Sequence, residues 1–310
     1  MTPMRIRIID TDGSLTAQPG VMAMCARTGG DIVAARDLAP RLRLLASKDA
    51  LATLDVRLGA AGAGEITFIG SGDFHHLSWL LARRHARPLS IIHFDNHPDW
   101  VRFPVTLNCG SWVARALEEP QVLRVVTIGP ASPDIEAPQL KGATMAALRS
   151  GRLELHAWAG GSTFYAGPAF ENPGARGAAG VARDGLTWHG LAGDDWRTRI
   201  EDIARRLPDA PVWITLDKDV LGTAEAVTNW DQGRLTLDAV LEAIGFIAGH
   251  RPLLGMDVCG DYSPVGDLGA FRSLLARLDR DQRPEPPTDG ARLNEATNLR
   301  ILAAMGALLQ

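Results

Sequence analysis

Cysteine is scarce in this chain: three residues in 310, at Cys25, Cys109 and Cys259. Their odd number and wide spacing exclude a disulfide framework and a zinc knuckle, and they suit a reducing compartment. Long hydrophobic runs are also missing. No apolar stretch reaches the roughly 18 residues that a membrane-spanning helix needs, so no membrane partner is expected. A strong charge imbalance is absent as well. The formal net charge is −4 at pH 7, which gives no basis for a nucleic-acid-binding surface. The opening residues, MTPMRIRIIDTDGS, lack the apolar core and cleavage site of a secretion signal, and a cytoplasmic protein is expected. No internal repeat or shift in composition marks a boundary, so the expectation is a single domain over residues 1–310.

What is present is an ordinary globular composition, 46% hydrophobic and 22% charged, long enough for a sizeable core. Short apolar runs read as strands at Met4–Asp10, Glu65–Gly70, Leu89–Phe94, Gln121–Ile128, Leu153–His156, Pro211–Leu216 and Pro252–Val258. Helical spacing appears between them: one or two helices over Leu38–Leu58, then His75–His85, Gly110–Glu118, Leu140–Arg149, Asp194–Leu207, Thr236–Ala248, Leu268–Asp281 and Asn294–Leu309. Asp194 is a candidate N-cap, and Asp281–Asp289 is a Pro-rich linker. Ala159–His189 is glycine-rich without periodicity and reads as a long loop. Strands alternating with helices indicate an α/β fold, a parallel sheet covered on both faces.

Ligands in such sheets bind beyond the carboxyl ends of the strands, and four strands here run into metal-ligand residue types. Glu65–Gly70 leads to Asp73, His75 and His76. Ser90–Phe94 leads to Asp95, His97 and Asp99, at every second position as on one face of a strand. Pro211–Leu216 leads to Asp217 and Asp219, and Pro252–Met256 to Asp257 and Asp261. A lone Asp-x-Asp after a strand usually caps a turn. Two such clusters plus a histidine-bearing third strand end favour metal, because convergent buried carboxylates need cations to relieve their repulsion. Mixed carboxylates and imidazoles suit Mn, Fe or Zn rather than Ca, and there are enough ligands for two ions. His93 shares a face with Asp95, as a supporting partner or a packed core residue. His85, His156, His189 and His250 read as surface or structural residues.

At these residues the sequence resembles the ureohydrolase superfamily of arginases, agmatinases and formimidoylglutamases, as a divergent member. Asp95-Asn96-His97-Pro98-Asp99 matches the family's Asp-Ala-His-x-Asp motif at its ligand positions. Thr215-Leu216-Asp217-Lys218-Asp219 resembles Ser-x-Asp-x-Asp, and Ser71-Gly72-Asp73-Phe74-His75-His76 resembles Gly-Gly-Asp-His with one extra residue. The resemblance covers roughly residues 60 to 265. It implies an arginase-like three-layer α-β-α sandwich with a mostly parallel central sheet, and a two-manganese centre with Fe or Zn as alternatives. One ion would be held by His75, Asp95, Asp99 and Asp217, and the other by Asp95, His97, Asp217 and Asp219, with Asp95 and Asp217 bridging. His75 is preferred to His76 when the following helix is aligned. The implied activity is hydrolysis of a linear C–N bond in a small guanidino or amidine substrate by a metal-bridging hydroxide that Asp219 orients. Family members are often trimers or hexamers, so a homo-oligomer is expected.

Three departures bear on the substrate. Cys109-Gly110 stands where arginases and agmatinases carry a histidine before a glycine, and a thiol is a poorer proton shuttle near neutral pH. Asp261, after a one-residue insertion, stands in for the glutamate that grips the guanidinium. Lys218, between the paired aspartates, should point to the opposite face and pair with a surface carboxylate. The loop Trp100–Gly110, with Trp100 and Arg102, should border the pocket, as should Asn229–Gly233. Two further readings are a zinc-dependent deacylase of the same fold, whose tandem-histidine and tyrosine signatures are not evident, and a catalytically weak metal-binding relative. A metallophosphatase is weaker still, because its further motifs are absent.

Overall fold

The computed structural model describes residues 4–103, 106–192, 196–264 and 289–309. Eight strands form the central sheet: β1 (Arg5–Asp10), β2 (Asp31–Ala34), β3 (Glu65–Gly70), β4 (Leu89–Phe94), β5 (Val122–Ile128), β6 (Leu153–His156), β11 (Val212–Asp217) and β12 (Leu253–Cys259). They lie in the order β2-β1-β3-β12-β11-β4-β5-β6, and every pairing between them is parallel. The central strands are buried along their whole length, as continuous apolar runs in a doubly covered sheet must be.

Alternation along each strand divides the core in two. Leu89 and Ile91 of β4 and Trp213 of β11 face one cluster, which is closed by Leu54 and Leu58 of α3 (Lys48–Leu58), Leu80 and Leu81 of α4 (Leu77–Arg83), Val113 of α5 (Trp112–Ala116) and Leu148 of α6 (Met145–Ser150). Ile92, Phe94, Ile214 and Leu216 face the other. Val21 of α1 (Pro19–Arg27), Ile200 of α7 (Trp196–Arg206), Val240 and Ile244 of α8 (Leu237–His250) and Ile301 of α9 (Gly290–Leu308) close that side. The result is the expected three-layer α-β-α sandwich. Thr236 starts α8 by accepting a hydrogen bond from Ala239 N at 3.2 Å, and Ser47 caps α3 in the same way; each such cap stabilises by about 1 kcal/mol.

Leu38–Leu58 is two helices, a single turn α2 (Ala39–Leu42) and α3, within the one or two expected. Several other expected elements differ. Only the second half of Leu140–Arg149 is helical. The helix α1 and the edge strand β2 carry too little periodicity to be read from sequence. Ala159–His189 is not a loop: it holds β7 (Gly161–Gly167), β8 (Phe170–Asn172), β9 (Ala175–Gly177) and β10 (Gly180–Trp188), an antiparallel sheet in the order β7-β10-β9-β8. Tyr165, Ala175, Leu186 and Trp188 anchor it to the core. Most of its other residues are solvated, so the alternation that marks a half-buried strand is missing. The expected helix Leu268–Asp281, residues 281–288 of the linker and the Asp194 cap lie outside the described residues.

Candidate metal centre

β4 and β11 are neighbours with Leu216 beside Phe94, so Asp95 and Asp217 emerge side by side at the carboxyl edge of the sheet. Each then folds the chain back in the same way. Asp95 Oδ1 accepts from His97 N at 2.6 Å, and Asp217 Oδ1 accepts from Asp219 N at 3.0 Å. These are Asx-type turns. Asp95, His97 and Asp99 therefore converge through a tight turn rather than through strand alternation, because β4 has already ended at Phe94. Asp99 adopts a left-handed backbone (φ 46°), a conformation aspartate tolerates better than most residues. Trp112 Nε1 donates to its Oδ2 at 2.7 Å.

From beyond the end of β3, two strands from β11, His75 Nδ1 reaches Asp95 Oδ2 at 3.0 Å, Asp99 Oδ2 at 3.2 Å and Asp217 Oδ2 at 3.6 Å. His97 Nδ1 lies 3.0 Å from Asp219 Oδ2 and 3.5 Å from Asp95 Oδ1. Three groups able to hold an ion result among the described residues: His75, His93, Asp95 and Asp99; His75, Asp217 and Cys259; and Asp95, His97 and Asp219. Asp95 belongs to two of them. The six residues anticipated as ligands are thus brought together, and His76 is buried but is not a member of any group.

Both candidate ligand histidines, His75 and His97, are held from behind. His75 Nε2 donates to Thr215 Oγ1 at 3.0 Å, and Thr215 donates in turn to the buried Asp257 at 2.7 Å. His97 Nε2 donates to Asp231 Oδ1 at 2.7 Å. These bonds turn both Nδ1 atoms toward the carboxylates, as metal-binding imidazoles require. His93 Nε2 donates to Asp95 Oδ2 at 2.8 Å, the supporting role open to it from sequence. Asp231 and Cys259 are contributions that sequence spacing does not reveal, whereas Asp257, a strand-end carboxylate expected from sequence, supports His75 through Thr215 and joins no ligand group.

The electrostatics match a site built for cations. Burial opposes the charged form of His75, but Cys259, Asp95 and Asp99 outweigh it and hold the group well above the ordinary histidine range. Burial likewise opposes the charged form of His97, and Asp219, Asp231 and Asp95 lift it. Burial, then repulsion from Asp95, pushes Asp99 up to about 7. Burial with Asp217 and Asp95 raises Asp219, and burial with Asp95 raises Asp217. Burial pulls Asp95 upward, but His93, His75 and His97 overcome it and hold Asp95 well below the usual range. Convergent buried carboxylates and imidazoles of this kind can hold a divalent cation, and the N/O donors of these six residues suit Mn, Fe or Zn.

The group opens into a cavity of about 210 Å³, lined also by Gly72, Asn108, Cys109, Gly110, Asp134 and Trp230. Gly72 is required there, because a Cβ would stand 2.7 Å from Asp217 Oδ2. Trp230 donates to Asp73 Oδ1 at 3.1 Å, and Asp73 itself pairs with Arg43 at 2.8 Å rather than joining the ligands. Three expectations are corrected. Trp100 is buried in the core against Trp188 and Arg102 faces a different hollow, so within Trp100–Gly110 only Asn108, Cys109 and Gly110 reach the cavity among the described residues. Asp261 is not in the cavity lining: its carboxylate pairs with Lys218 at 2.8 Å. Lys218 does turn away from the ligands, but its partner is buried rather than at the surface. The cause is Gly260, which takes φ +90° and leaves no room for a Cβ, the nearest atom being Asp217 Oδ1 at 2.4 Å. The chain passes the centre with no side chain at 260 and delivers Asp261 behind it.

No protein-family model matches the chain. Over 200 residues it is 26% identical to an uncharacterized protein from Thermotoga maritima, a match covering 64% of this chain and 59% of that protein, less than two thirds of its length. Among solved structures the fold matches an arginase from Bacillus caldovelox at TM-score 0.56 and 14% identity, over 100% of this chain and 98% of that one. It matches proclavaminate amidinohydrolase from Streptomyces clavuligerus at TM-score 0.55 and 14% identity, over 100% and 93%. A hypothetical agmatinase from Burkholderia thailandensis matches at TM-score 0.52 and 14% identity, over 98% and 85%. At these identities the likeness is one of fold: the chain has the arginase-like α/β fold.

Proposed function

We propose that this chain is a divergent ureohydrolase, a binuclear-metal hydrolase that cleaves a linear C–N bond of a small guanidino or amidine compound. The observation that carries the reading is the pair of ligand groups that share Asp95 at the carboxyl edge of the sheet. His75, Asp95, Asp99 and Asp217 would hold one ion, and Asp95, His97, Asp217 and Asp219 the other. Two divalent ions there supply the positive charge that makes water nucleophilic near neutral pH and stabilises developing negative charge.

The residues of the chain do the rest. Asp219 orients the attacking water through a hydrogen bond. The cavity wall carries Asp134 and no lysine or arginine among its described lining, which draws a cation inward. Trp230 offers an aromatic wall beside His97, with ring centroids 5.7 Å apart, a surface suited to a planar cation. Cys109 and Asp134 are the titratable lining residues outside the ligand groups, and the departing amine takes its proton on that side.

Metal analysis of protein purified without chelator is expected to give close to two Mn, Fe or Zn ions per chain. A panel of guanidino and formimino compounds, followed by release of urea, formamide or ammonia, is expected to show turnover. A fully loaded protein inert to the panel would favour the metal-binding relative, and a single zinc would favour the deacylase.

A further inference from the structure

One donor in the ligand groups has no part in the reaction above. Cys259 ends β12, is fully buried, and is placed beside Asp217 by the β11–β12 register. Its Sγ lies 3.1 Å from Asp217 Oδ2, the same oxygen that stands 3.6 Å from His75 Nδ1. Nitrogen, oxygen and sulfur donors of these three residues all lie within 4.8 Å of one another. Cys259 is not in the cavity lining, so the thiol meets the group from the sheet side, away from substrate. A structural cysteine packs as a small hydrophobe; this one is set between an imidazole and a carboxylate. The group formed by Asp95, His97 and Asp219 offers only nitrogen and oxygen.

We propose that Cys259 Sγ is a ligand of the ion held by His75 and Asp217, so that the two halves of the centre are chemically unequal. The His75 half is a soft N/O/S site that selects zinc, iron(II) or cobalt(II). The His97 half is a hard N/O site that accepts manganese. The inference rests on the metal-centre reading and extends it by giving each half its own preference. Thiolate favours zinc and iron over manganese. With metal–ligand bonds of about 2.0–2.3 Å, neighbouring donors around one ion sit roughly 3–4 Å apart, which includes the 3.1 and 3.6 Å separations here. On binding, the S–H bond is exchanged for a sulfur–metal bond and the proton leaves to solvent; no electron is transferred.

The test uses the full chain, stripped with chelator and titrated with Co²⁺, Zn²⁺ and Mn²⁺ separately. The wild type is expected to develop a near-ultraviolet sulfur-to-cobalt charge-transfer band, and Cys259→Ser to lack it. Cys259→Ser should also weaken one equivalent of zinc by about 10–100-fold, the scale on which altering a metal site's surroundings acts, and should leave manganese at the His97 half unchanged. Cobalt binding to the wild type without the band, or unchanged zinc affinity in Cys259→Ser, would overturn this inference and leave the metal centre standing. Failure of all three metals to bind would remove both. If Cys259→Ser does not fold, the wild-type cobalt spectrum and a sulfur scatterer in zinc X-ray absorption decide the matter.

Discussion

Lys218 Nζ lies 2.8 Å from Asp261 Oδ2, and neither side chain is more than 1% exposed. Asn298 Oδ1 accepts from Lys218 at 3.0 Å, and Gln18 Nε2 donates to Asp261 Oδ1 at 2.8 Å. The carboxylate that sequence would assign to a substrate cation is already holding a cation of the chain. The pair also ties the β11 end, the N-terminal segment and α9 together. Asp261→Ala strands a buried ammonium and is expected to cost about 3–5 kcal/mol, the usual penalty for breaking a buried pair, read by urea denaturation. In the fraction that folds, KM should be unchanged. A large rise in KM at unaltered stability would return Asp261 to the substrate.

Asp95 is shared by two ligand groups, and Asp217 lies beside it. Asp95→Ala and Asp217→Ala are each expected to remove metal from both halves, bringing the content measured by elemental analysis close to zero. Retention of both ions in either variant would sink the bridging assignment.

Asp231 fixes His97 without belonging to a ligand group. Asp231→Ala frees the ring to rotate and should weaken one metal equivalent by about 10–100-fold, with the other held at its original affinity. Calorimetric titration separates the two. Equal weakening of both equivalents would mean that Asp231 acts on the fold and not on His97.

The pH dependence of the metal-free protein has a definite sign. His75 and His97 are raised, so their stabilisation is complete below the ordinary histidine value and is lost as pH climbs through the raised values. Asp99, Asp217 and Asp219 are raised too, and their protonated forms are lost over the same climb, near 7 for Asp99. His93 is lowered by burial and opposes this below the ordinary histidine value, while the lowered Asp95 acts only in acid. The native state therefore binds more protons than the unfolded state above the ordinary histidine value, and stability from this centre falls as pH rises from there through the value near 7 for Asp99. Metal displaces those protons. Chelated protein should melt lower at pH 8 than at pH 6, and the gain in Tm on adding Mn²⁺ should grow with pH. A gain independent of pH would contradict the assignment.

Much of the sheet was legible because buried parallel strands are short apolar runs with sharp ends, and β3, β4, β6 and β11 lie within a residue of their expected bounds. The ligand motif was legible for a related reason: both aspartate pairs directly follow such runs. Their convergence comes from turns rather than from strand alternation. Asp231 was illegible because it meets His97 across 134 positions and no local pattern encodes that contact. Cys259 was hidden by register, which only the paired strands define. The β7–β10 sheet was hidden because water covers most of its two faces and erases the hydrophobic period.

The left-handed Gly260 limits how this protein could be redesigned. A designer wishing to install an acidic grip for a guanidinium would turn to the end of β12, yet any side chain at 260 collides with Asp217 and Lys218. Such a graft would dismantle the centre it was meant to serve. New specificity has to be written elsewhere on the cavity wall, at Asn108, where substitution leaves the proposed ligands and the proton source in place.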